Sequence, residues 1–592
     1  MVLQGNSKPN ILVFELNGVG YFTKWYFSAI IREVFYFEER RIILSKIRMF
    51  SLGGLDENGK NMFVIEIDKS IFVFEAGLKY ADELTLGIDY IIPNITYLKE
   101  NKKRIKGIFL THGHDENVGA LSDIVCDLGN PNIYGSKYTL EVVKREFETC
   151  NINYKNFKEI KAYIPLEVSG VKIFPVNLSH STPDNFGYAI YTKDGVIFYA
   201  ADYVIDSLMK GAYKTDIGKL AYIGKQGVLC LLTESVYAGQ TGFTSPRHRI
   251  APLIRETLNN SDGRIIFNVL DSHLYRIQEL FTEVEKTNRK IVIMGKRLKR
   301  IIDFAVENHY LSFSKDIIGD LSNINDKNVV ILNANEKEKP YYNIMRIVNG
   351  YDKFIKLNVD DTVFLAMPIY DNREKTFYSL LDDIAKTGAN VVSLSSKTYL
   401  SHHASNEDLM TMINLMNPKY YFPIRGEYKN QVMNAEVAEM VGIPKDNIIL
   451  KENGDVVTFK NGKLINDFER VTSGSILIDG TIGDDIGEVV LKDREMLSDN
   501  GIMIISVTLN KQNKSIMAGP EILTRGFVYV KDSYELINEI KKMSEKIILD
   551  NTKGMKYIEY NKIKNTIRDE LSKYLINQTG NKPMIITVIQ EI

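Results

Sequence analysis

Residues 111–117 read Thr-His-Gly-His-Asp-Glu-Asn, and this stretch gives the first indication of both the fold and the chemistry. It follows an apolar run, residues 105–110, that is predicted to be a strand, and a helix is predicted after it. Two imidazoles two residues apart on a strand-to-helix turn can face one metal ion. A dinuclear site requires further ligands immediately afterwards, and Asn117 is a poor one. Whether the chain carries out metal chemistry therefore depends on Glu116 and Asn117.

Length, composition and charge indicate a multidomain globular protein. A chain of 592 residues is too long for one hydrophobic core, and its length predicts about three or four domains. The formal net charge of −1 gives no indication of a nucleic-acid partner, although a local basic groove remains compatible with it. The three scattered cysteines, Cys126, Cys150 and Cys230, favour a reducing compartment over a disulfide framework or a zinc ribbon.

The first 45 residues differ in character from the rest. Residues 21–37 are rich in aromatic side chains, but Lys24, Arg32 and Glu33 interrupt them, so this segment is too short and too charged to span a bilayer. No secretory signal is predicted either. We interpret residues 1–45 as an N-terminal extension, with a membrane-surface helix as the alternative. We expect a cytoplasmic protein without a membrane partner.

Strands alternate with helices along most of the chain, which predicts a layered α/β architecture. Before residue 246, strands are predicted at residues 62–67, 71–74, 105–110, 171–176, 196–200 and 228–232, with a helix around 140–147. From 246 to 482 they are predicted at 265–269, 290–294, 329–332, 362–366, 390–394, 420–423, 456–459 and 475–478.

Residues 483–592 read as a compact module. Strands are predicted at 502–507, 527–530 and 584–589, and two apolar stripes with helical spacing lie between them. The stripes consist of Leu536, Ile540, Met543 and Ile547, and of Ile563, Ile567, Leu571 and Leu575. The last strand is either an edge strand, which can add to the sheet of another subunit, or a central strand of its own module.

Residues able to bind metal follow several predicted strands. His112 and His114 follow residues 105–110, His180 follows 171–176, and Asp202 follows 196–200. The carboxyl ends of strands in an open α/β sheet meet at one edge, where such folds place their sites. Three imidazoles and one carboxylate suit a zinc or manganese ion. Each histidine alone has an ordinary structural explanation, but the set of four predicts a metal site.

Several motifs resemble a known family. Phe74-Glu75-Ala76-Gly77, Thr111-His112-Gly113-His114, His180 and Ala201-Asp202 resemble the metallo-β-lactamase superfamily. Leu232-Thr233-Glu234-Ser235, His403-Ala404-Ser405 and Pro423-Ile424-Arg425-Gly426-Glu427-Tyr428 resemble the three motifs of its β-CASP branch, which processes nucleic acids. The runs 483–491 and 524–530 resemble the C-terminal part of bacterial ribonuclease J.

The resemblance extends from about Lys46 to the end of the chain, and it implies the fold. We expect an αββα metallo-β-lactamase sandwich formed by residues 46–245 and 401–482. A β-CASP α/β domain is expected as an insertion over residues 246–400. Residues 483–592 are expected to form a linker and a small C-terminal α/β oligomerisation domain.

The sequence departs from the family pattern on one side of the site. The family motif His-x-His-x-Asp-His has Glu116 and Asn117 at its last two positions, Arg425 replaces a histidine of the third β-CASP motif, and Glu75 replaces an aspartate. The resemblance implies an intact first metal site and a degenerate second site. The first consists of His112, His114, His180 and Asp202; the second consists of Glu116, Asn117 and Arg425, bridged by Asp202.

A guanidinium at the second site would repel a second cation and cannot lose its charge. We therefore expect one zinc or manganese ion and weak or absent hydrolysis. Arg425 either grips an RNA phosphate bidentately or pairs with Glu116 or Glu75 and fills the vacated site. The resemblance further implies catalytic positions at Glu234 and His403, and RNA phosphate contacts from His403, Ala404, Ser405 and Arg425.

Other departures lie along the expected RNA channel. His402 replaces the usual glycine before His403, and the loops at residues 333–336 and 368–372 lack expected glycines. These changes are expected to perturb the channel. A basic cluster, which is either a solvated helix face or a contact to the RNA backbone, consists of Lys296, Arg297, Lys299 and Arg300.

Three functions remain open at this point. The first, which we favour, is a subunit similar to the second, degenerate paralogue of ribonuclease J, which binds RNA with little nuclease activity. The second is a working 5′-to-3′ exoribonuclease and endoribonuclease that matures rRNA and degrades mRNA. The third, a hydrolase of small esters, is disfavoured because it does not need the β-CASP motifs. Partners implied by the resemblance are single-stranded RNA with a 5′-monophosphate end, an active ribonuclease J paralogue, and an RNA-degradosome-like complex. The assembly implied is a homodimer or a hetero-oligomer.

Overall fold

The structure is a computed structural model that describes residues 46–592 except 82–84, 86, 336–340, 370–372, 480–487, 529–532 and 553–557. The predicted N-terminal extension, most of the motif at 483–491, and the ends of the loops at 333–336 and 368–372 therefore lie outside the described residues. No helix in the described part of the chain is long and apolar enough to cross a membrane.

The first part of the chain supplies most of two sheets. Its strands are β1 (Lys46–Gly53), β2 (Met62–Ile67), β3 (Ser70–Phe74), β4 (Lys79–Tyr80), β5 (Tyr90–Pro93), β6 (Ile105–Phe109), β7 (Ile133–Gly135), β8 (Phe157–Glu159), β9 (Leu166–Val168), β10 (Val171–Asn177), β11 (Phe186–Thr192), β12 (Gly195–Ala200) and β13 (Val228–Glu234). Its helices are α1 (Thr96–Glu100), α2 (Asp115–Val118), α3 (Leu121–Ile124), α4 (Lys137–Thr149) and α5 (Ile217–Gly224).

The middle of the chain forms a third sheet and then returns to the first two. The third sheet and its helices comprise α6 (Ala251–Asn260), β14 (Ile265–Leu270), α7 (Leu274–Val284), β15 (Lys290–Ile293), α8 (Lys296–Glu307), β16 (Val329–Asn335), α9 (Tyr342–Val348), β17 (Thr362–Leu365), α10 (Glu374–Thr387) and β18 (Asn390–Ser393). The return comprises α11 (Asn406–Met416), β19 (Tyr420–Ile424), α12 (Tyr428–Met440), β20 (Val457–Lys460), β21 (Lys463–Ile465) and β22 (Ser475–Ile478). Of these strands, β22 joins neither of the first two sheets but pairs with β5 in a small sheet of order β22-β5-β4.

Two of these sheets pack face to face. The first has the strand order β21-β20-β1-β2-β3-β6-β7-β8, and the second has the order β19-β13-β12-β11-β10-β9. Aromatic side chains of both sheets, among them Phe74, Phe109, Tyr188 and Tyr199, fill the space between them. All six residues of β2 are buried because helices cover the outer face of its sheet as well. Helices α5, α11 and α12 cover the second sheet, so the layers follow the predicted αββα order.

The third sheet is parallel throughout, with the order β15-β16-β14-β17-β18. Helices α6, α7 and α8 pack on one face, and α9 and α10 pack on the other. The chain enters this unit after β13 and leaves it before β19, and these two strands pair in parallel within the second sheet. The unit is therefore inserted between two neighbouring strands of the sandwich, as predicted.

The C-terminal module consists of α13 (Glu488–Asn500), β23 (Ile502–Leu509), β24 (Ile516–Arg525), α14 (Tyr534–Thr552), α15 (Tyr560–Thr579) and β25 (Met584–Glu591). Its sheet has the order β24-β23-β25, so β25 is an edge strand. Alternate residues of β23 are buried because α14 and α15 cover only one face.

The apolar runs before residue 510 and the two helical stripes are confirmed as strands and helices, but one strand prediction is wrong. Phe527 and Val528 are not in a strand, and residues 529 and 530 lie outside the described range. The strand of this region is β24, which ends at Arg525. Gly519 and Pro520 interrupt its pattern, so the sequence gives no strand signal there. The strand forms nevertheless because it lies at the edge of its sheet, where proline is tolerated.

Candidate metal and RNA site

The predicted ligands of the first ion lie together at the carboxyl ends of strands from both sandwich sheets. His112 and His114 follow β6, His180 follows β10, and Asp202 follows β12. All four side chains are buried, and their ligand atoms lie within 4.8 Å of one another.

The spacing of these atoms suits a tetrahedral ion. His114 Nδ1 lies 3.1 Å from His112 Nε2 and 3.4 Å from His180 Nε2, and Asp202 Oδ2 lies 3.3 Å from His112 Nε2. Donors about 2.1 Å from a tetrahedral zinc ion are themselves roughly 3.4 Å apart. Burial lowers the pKa of His112 and of His180, which keeps both imidazoles neutral, the form that binds metal. The donor set therefore fits one zinc or manganese ion.

Arg425 reaches the site from the end of β19. Its backbone is in the left-handed region, with φ of 59°, and Gly426 follows with φ of 84°. This turn directs the guanidinium inward, where Nη1 donates to Asp202 Oδ1. Burial opposes the charge of each partner, but their mutual attraction outweighs it. The attraction raises the pKa of Arg425 and holds the pKa of Asp202 well below its usual range. The two groups form a buried ion pair.

The other positions of the second site offer no complete ligand set. Asn117 is buried, its amide donates to Thr111 Oγ1 at 3.2 Å, and its carbonyl accepts from Asn61 Nδ2 at 3.1 Å. Glu116 lines the opening of the site, but its carboxylate is not among the donors that cluster with Asp202. The alternative expectation named Glu116 or Glu75 as the partner of Arg425. The ion pair that the structure shows is with Asp202, and the charge of Glu116 also raises the pKa of Arg425.

Glu75 lies beneath the site. Its carboxyl oxygens accept the Thr111 N–H, each at 3.3 Å, and the side chain is fully buried. Burial raises the pKa of Glu75 to about 8, so this group is mostly protonated at neutral pH. It is a buried neutral acid, which makes it a poor substitute for a metal-binding aspartate.

A second group of donors consists of Asp202, Glu234 and His403. His403 Nδ1 lies 2.7 Å from Glu234 Oε2 and 3.5 Å from Asp202 Oδ1. Burial disfavours the imidazolium of His403, but the charges of Glu234 and Asp202 outweigh it and raise its pKa. Burial also raises the pKa of Glu234 to about 7. The family positions Glu234 and His403 thus form a hydrogen-bonded pair beside the first ion's ligands.

Of the residues expected to contact RNA phosphates, His403 alone lines the opening of the site. The Ala404 N–H donates to Glu234, and the Ser405 N–H donates to Thr244 and Asp408. Arg425 is 1 % exposed and lies behind the opening. Phosphate contacts from these three residues remain a prediction, and those from Ala404 and Ser405 require the hydrogen bonds described to rearrange.

The opening is a cavity of about 430 Å³ between the sandwich and the inserted unit. Five histidines line it, together with cations that include Lys79 and Arg373. The histidines are His114, His180, His273, His402 and His403. Sequence reasoning did not select His273 or the nearby His248. A signal was present, because seven of the eight histidines of the chain lie in one ring-to-ring cluster.

The basic cluster lies at the start of α8. Arg297 and Arg300 line a larger cavity of about 830 Å³, and Arg297 Nε donates to Asp271 Oδ2 at 2.8 Å. Leu78, Tyr80 and Ser272 line both cavities, so the two adjoin. Seven carboxylates and three arginines line the larger cavity, so its charge does not favour the alternative in which the cluster contacts an RNA backbone.

Comparisons with known proteins agree with this architecture. Residues 489–592 match the model of the ribonuclease J C-terminal domain, and residues 262–382 match the ribonuclease J β-CASP domain. Residues 89–217 match a β-lactamase superfamily domain, and residues 393–446 match the RNA specificity domain of zinc-dependent metallo-hydrolases.

Full-length relatives decide the family. Ribonuclease J 2 of Staphylococcus saprophyticus is 35 % identical over 550 residues, which cover 92 % of this chain and 98 % of the relative. Ribonuclease J 2 of Staphylococcus aureus is 36 % identical with the same coverage. The chain belongs to the ribonuclease J family.

A crystal structure of a protein of unknown function from Enterococcus faecalis aligns with 70 % of this ribonuclease J and all of its own chain, with a TM-score of 0.50 and 14 % identity. That likeness concerns the fold alone. Membership of the ribonuclease J family establishes RNA processing as the function and RNA as a binding partner. The buried histidine and aspartate cluster is compatible with metal binding in this metallo-hydrolase family.

Proposed function

We propose that this ribonuclease J is an RNA-binding subunit that holds one zinc or manganese ion, hydrolyses RNA weakly or not at all, and assembles with an active paralogue. The observation that carries the proposal is the buried ion pair between Arg425 and Asp202. Hydrolysis with two metal ions requires the second ion to stabilise the attacking or the leaving oxygen. Here the guanidinium of Arg425 is bonded to Asp202, the carboxylate that would otherwise bridge the two ions.

Charge and geometry both support a single ion. A permanent cation bonded to Asp202 repels a second cation at short range, where the buried surroundings screen little. The first site keeps three neutral imidazoles and one carboxylate, and an ion bound there would polarise an RNA phosphate or a water molecule. The chain's own residues would orient the RNA: His403 faces the opening, and Glu234 fixes the ring of His403.

The proposed RNA partner is a single strand that enters with its 5′-monophosphate end. The opening lies between the sandwich and the inserted unit, and the larger cavity adjoins it. Lys79, Arg373 and His403 supply positive charge at the opening. With the domain divisions proposed from the sequence, at residues 245, 400 and 482, the opening would lie between the first two domains.

A partner subunit is proposed from the C-terminal module. Edge strand β25 pairs with β23 on one side, and its outward Ile586 is 41 % exposed. An edge strand with an apolar face can extend the sheet of another chain. We expect an active paralogue there, in a hetero-oligomer, with a homodimer of this chain as the alternative, and further assembly into an RNA-decay complex. The three free cysteines agree with a cytoplasmic location.

The alternative is an active exoribonuclease or endoribonuclease. The retained contact between His403 and Glu234, beside Asp202, favours it because both family positions keep their mutual geometry. One assay distinguishes the two. The pure protein is incubated with 5′-monophosphorylated RNA and manganese, beside a His112→Ala variant. Processive release of mononucleotides that the variant lacks establishes the alternative, whereas slow or negligible release by the wild-type protein supports the proposal.

A further inference from the structure

His402 lies at the centre of contacts that reach a metal ligand. Its carbonyl oxygen accepts a hydrogen bond from His180 Nδ1 at 2.9 Å, which leaves His180 Nε2 directed at the first metal site. A partner on the outer nitrogen fixes the tautomer and the orientation of a ligating histidine. The position of the His402 backbone therefore decides where His180 points.

The ring of His402 is held from the other side. It is 2 % exposed, and its centroid lies 4.7 Å from that of His248 in an edge-to-face contact. His248 Nε2 lies 3.0 Å from Asp206 Oδ2. Asp206 is itself fixed, since it accepts hydrogen bonds from Arg249 and from the Leu208 N–H.

Asp206 stands four residues after Asp202, on the segment that follows β12. The contacts thus run from Asp206 through His248 and His402 to His180. They connect the segment that carries Asp202 with a ligand that follows a different strand. Backbone bonds brace the same region: the Leu400 N–H donates to the Arg247 carbonyl at 3.0 Å, and Thr244 Oγ1 donates to the His403 carbonyl.

The burial of this histidine pair is otherwise costly. Both ring nitrogens of His248 and Nε2 of His402 have no hydrogen-bond partner among the described residues, and unpartnered buried nitrogens reduce stability. The 3.0 Å approach of His248 Nε2 to Asp206 Oδ2 is a close contact outside hydrogen-bond geometry. An apolar pair would fill the same space without this loss. We infer that His248 is a positioning residue for the metal site, because its ring connects Asp206 to His402 and so fixes the carbonyl group that orients His180. The inference rests on the one-ion site of the proposed function.

The test uses the full chain and two readouts. The affinity for Zn²⁺ is measured by competition with a chelator, and the side-chain 15N and 1H signals of His180 are measured by NMR on 15N-histidine-labelled protein without metal. The variants are His248→Phe, which keeps the ring volume, His248→Gln, which keeps a polar group beside Asp206, and His402→Gly. The control is His309→Asn, at the exposed histidine that lies outside the cluster.

We expect His248→Phe and His402→Gly to weaken Zn²⁺ binding about tenfold, the lower end of the effect of removing a partner of a ligating histidine. The His180 Nδ1–H signal shifts or broadens in both, and also in His248→Gln, which keeps a polar group beside Asp206 but loses the ring that contacts His402. His309→Asn retains the wild-type signal and affinity. Wild-type values in His248→Phe overturn the inference. If His402→Gly does not fold, His248→Phe decides alone, and thermal unfolding shows whether its fold is intact.

The two readouts separate this inference from the proposed function. Absence of Zn²⁺ binding in the wild-type protein refutes the one-ion site, but the His180 signal still reports on the link to His248. Normal Zn²⁺ binding with an unaltered His180 signal in His248→Phe refutes the positioning role and leaves the one-ion site intact.

Discussion

Arg425 and Asp202 form a buried ion pair across 223 residues of sequence, at the place where a second metal ion would share the same carboxylate. The exposed fraction of the two side chains is 1 % and 0 %. A buried carboxylate depends on such a partner because it has lost its hydration. The relationship leads to predictions about stability, metal stoichiometry and RNA affinity.

Arg425→Met is expected to destabilise the metal-free protein by about 3 kcal/mol, the lower end for breaking a buried ion pair. The lower end applies because the His403 ring remains 3.5 Å from Asp202 and offsets part of the loss. Urea denaturation measures the change. The control is Arg568→Met, whose pair with Asp569 is 54 % and 61 % exposed and should contribute less than about 1 kcal/mol. Equal changes in the two variants would contradict the prediction.

The double variant Arg425→His, Asn117→His is expected to bind two Zn²⁺ or Mn²⁺ ions where the wild-type protein binds one. It removes the cation that repels the second ion and supplies two imidazole ligands beside Asp202 and Glu116. Metal content after dialysis measures the stoichiometry.

The matched control, Arg425→Lys with Asn117→His, keeps the positive charge and should bind a single ion. Two tightly bound ions in the wild-type protein would contradict both this prediction and the proposed function.

Glu75→Gln is expected to change how stability depends on pH. The pKa of Glu75 is about 8 in the folded protein, above its ordinary value of 4.5, so the folded protein keeps a proton that the unfolded chain has released. The stability contributed by this group is therefore present below pH 4.5 and is lost as pH rises towards 8. The variant does not ionise there, so it gains stability relative to wild type by up to about 1.4 kcal/mol per pH unit between these limits.

Urea denaturation at pH 5, 6 and 7 measures this difference. The control is Glu100→Gln, at an exposed carboxylate, whose stability curve should run parallel to that of the wild type. A parallel curve for Glu75→Gln as well would show that Glu75 is ionised in the folded protein.

Arg373→Gln is expected to weaken RNA binding for all sequences alike and to reduce the salt dependence of affinity by about one unit of slope. Arg373 lines the opening of the site, where its charge can neutralise one phosphate. Lys386→Gln is the control, because Lys386 is exposed near the end of helix α10, which begins directly after Arg373, and pairs with Asp383. Fluorescence anisotropy with a labelled single-stranded RNA at several salt concentrations measures both slopes. Equal slopes for the two variants would show that Arg373 does not contact the RNA.

The sequence predicts most of the strands because each is a short apolar run bounded by polar or glycine-containing turns. Strand β2 illustrates this, since helices and the second sheet bury both of its faces and every residue is consequently apolar or paired. Strand β24 escapes prediction because one of its faces is exposed and Gly519-Pro520 interrupts its pattern. Patterning detects burial, so strands that are mostly exposed are the ones it misses.

The candidate site shows a similar division. Placement after strands brings His112, His180 and Asp202 together, because the carboxyl ends of the strands share one edge. The partner of Arg425 depends on a left-handed turn at residues 425 and 426, which no periodicity reveals. The contact between His248 and His402 joins segments more than 150 residues apart through ring packing alone. Long-range contacts of side-chain rings require coordinates.

The guanidinium of Arg425 also determines how the protein responds to metal supply. An ion in an exchangeable site leaves when a chelator or a depleted cell removes it, and the carboxylate that held it is then a buried charge without compensation. Here the charge that compensates Asp202 is the guanidinium of Arg425, which is covalently part of the chain and cannot exchange. The Arg425 side of the site should therefore keep its fold and its positive charge under metal starvation. A site that held a second metal ion there would lose that charge and the structure that depends on it.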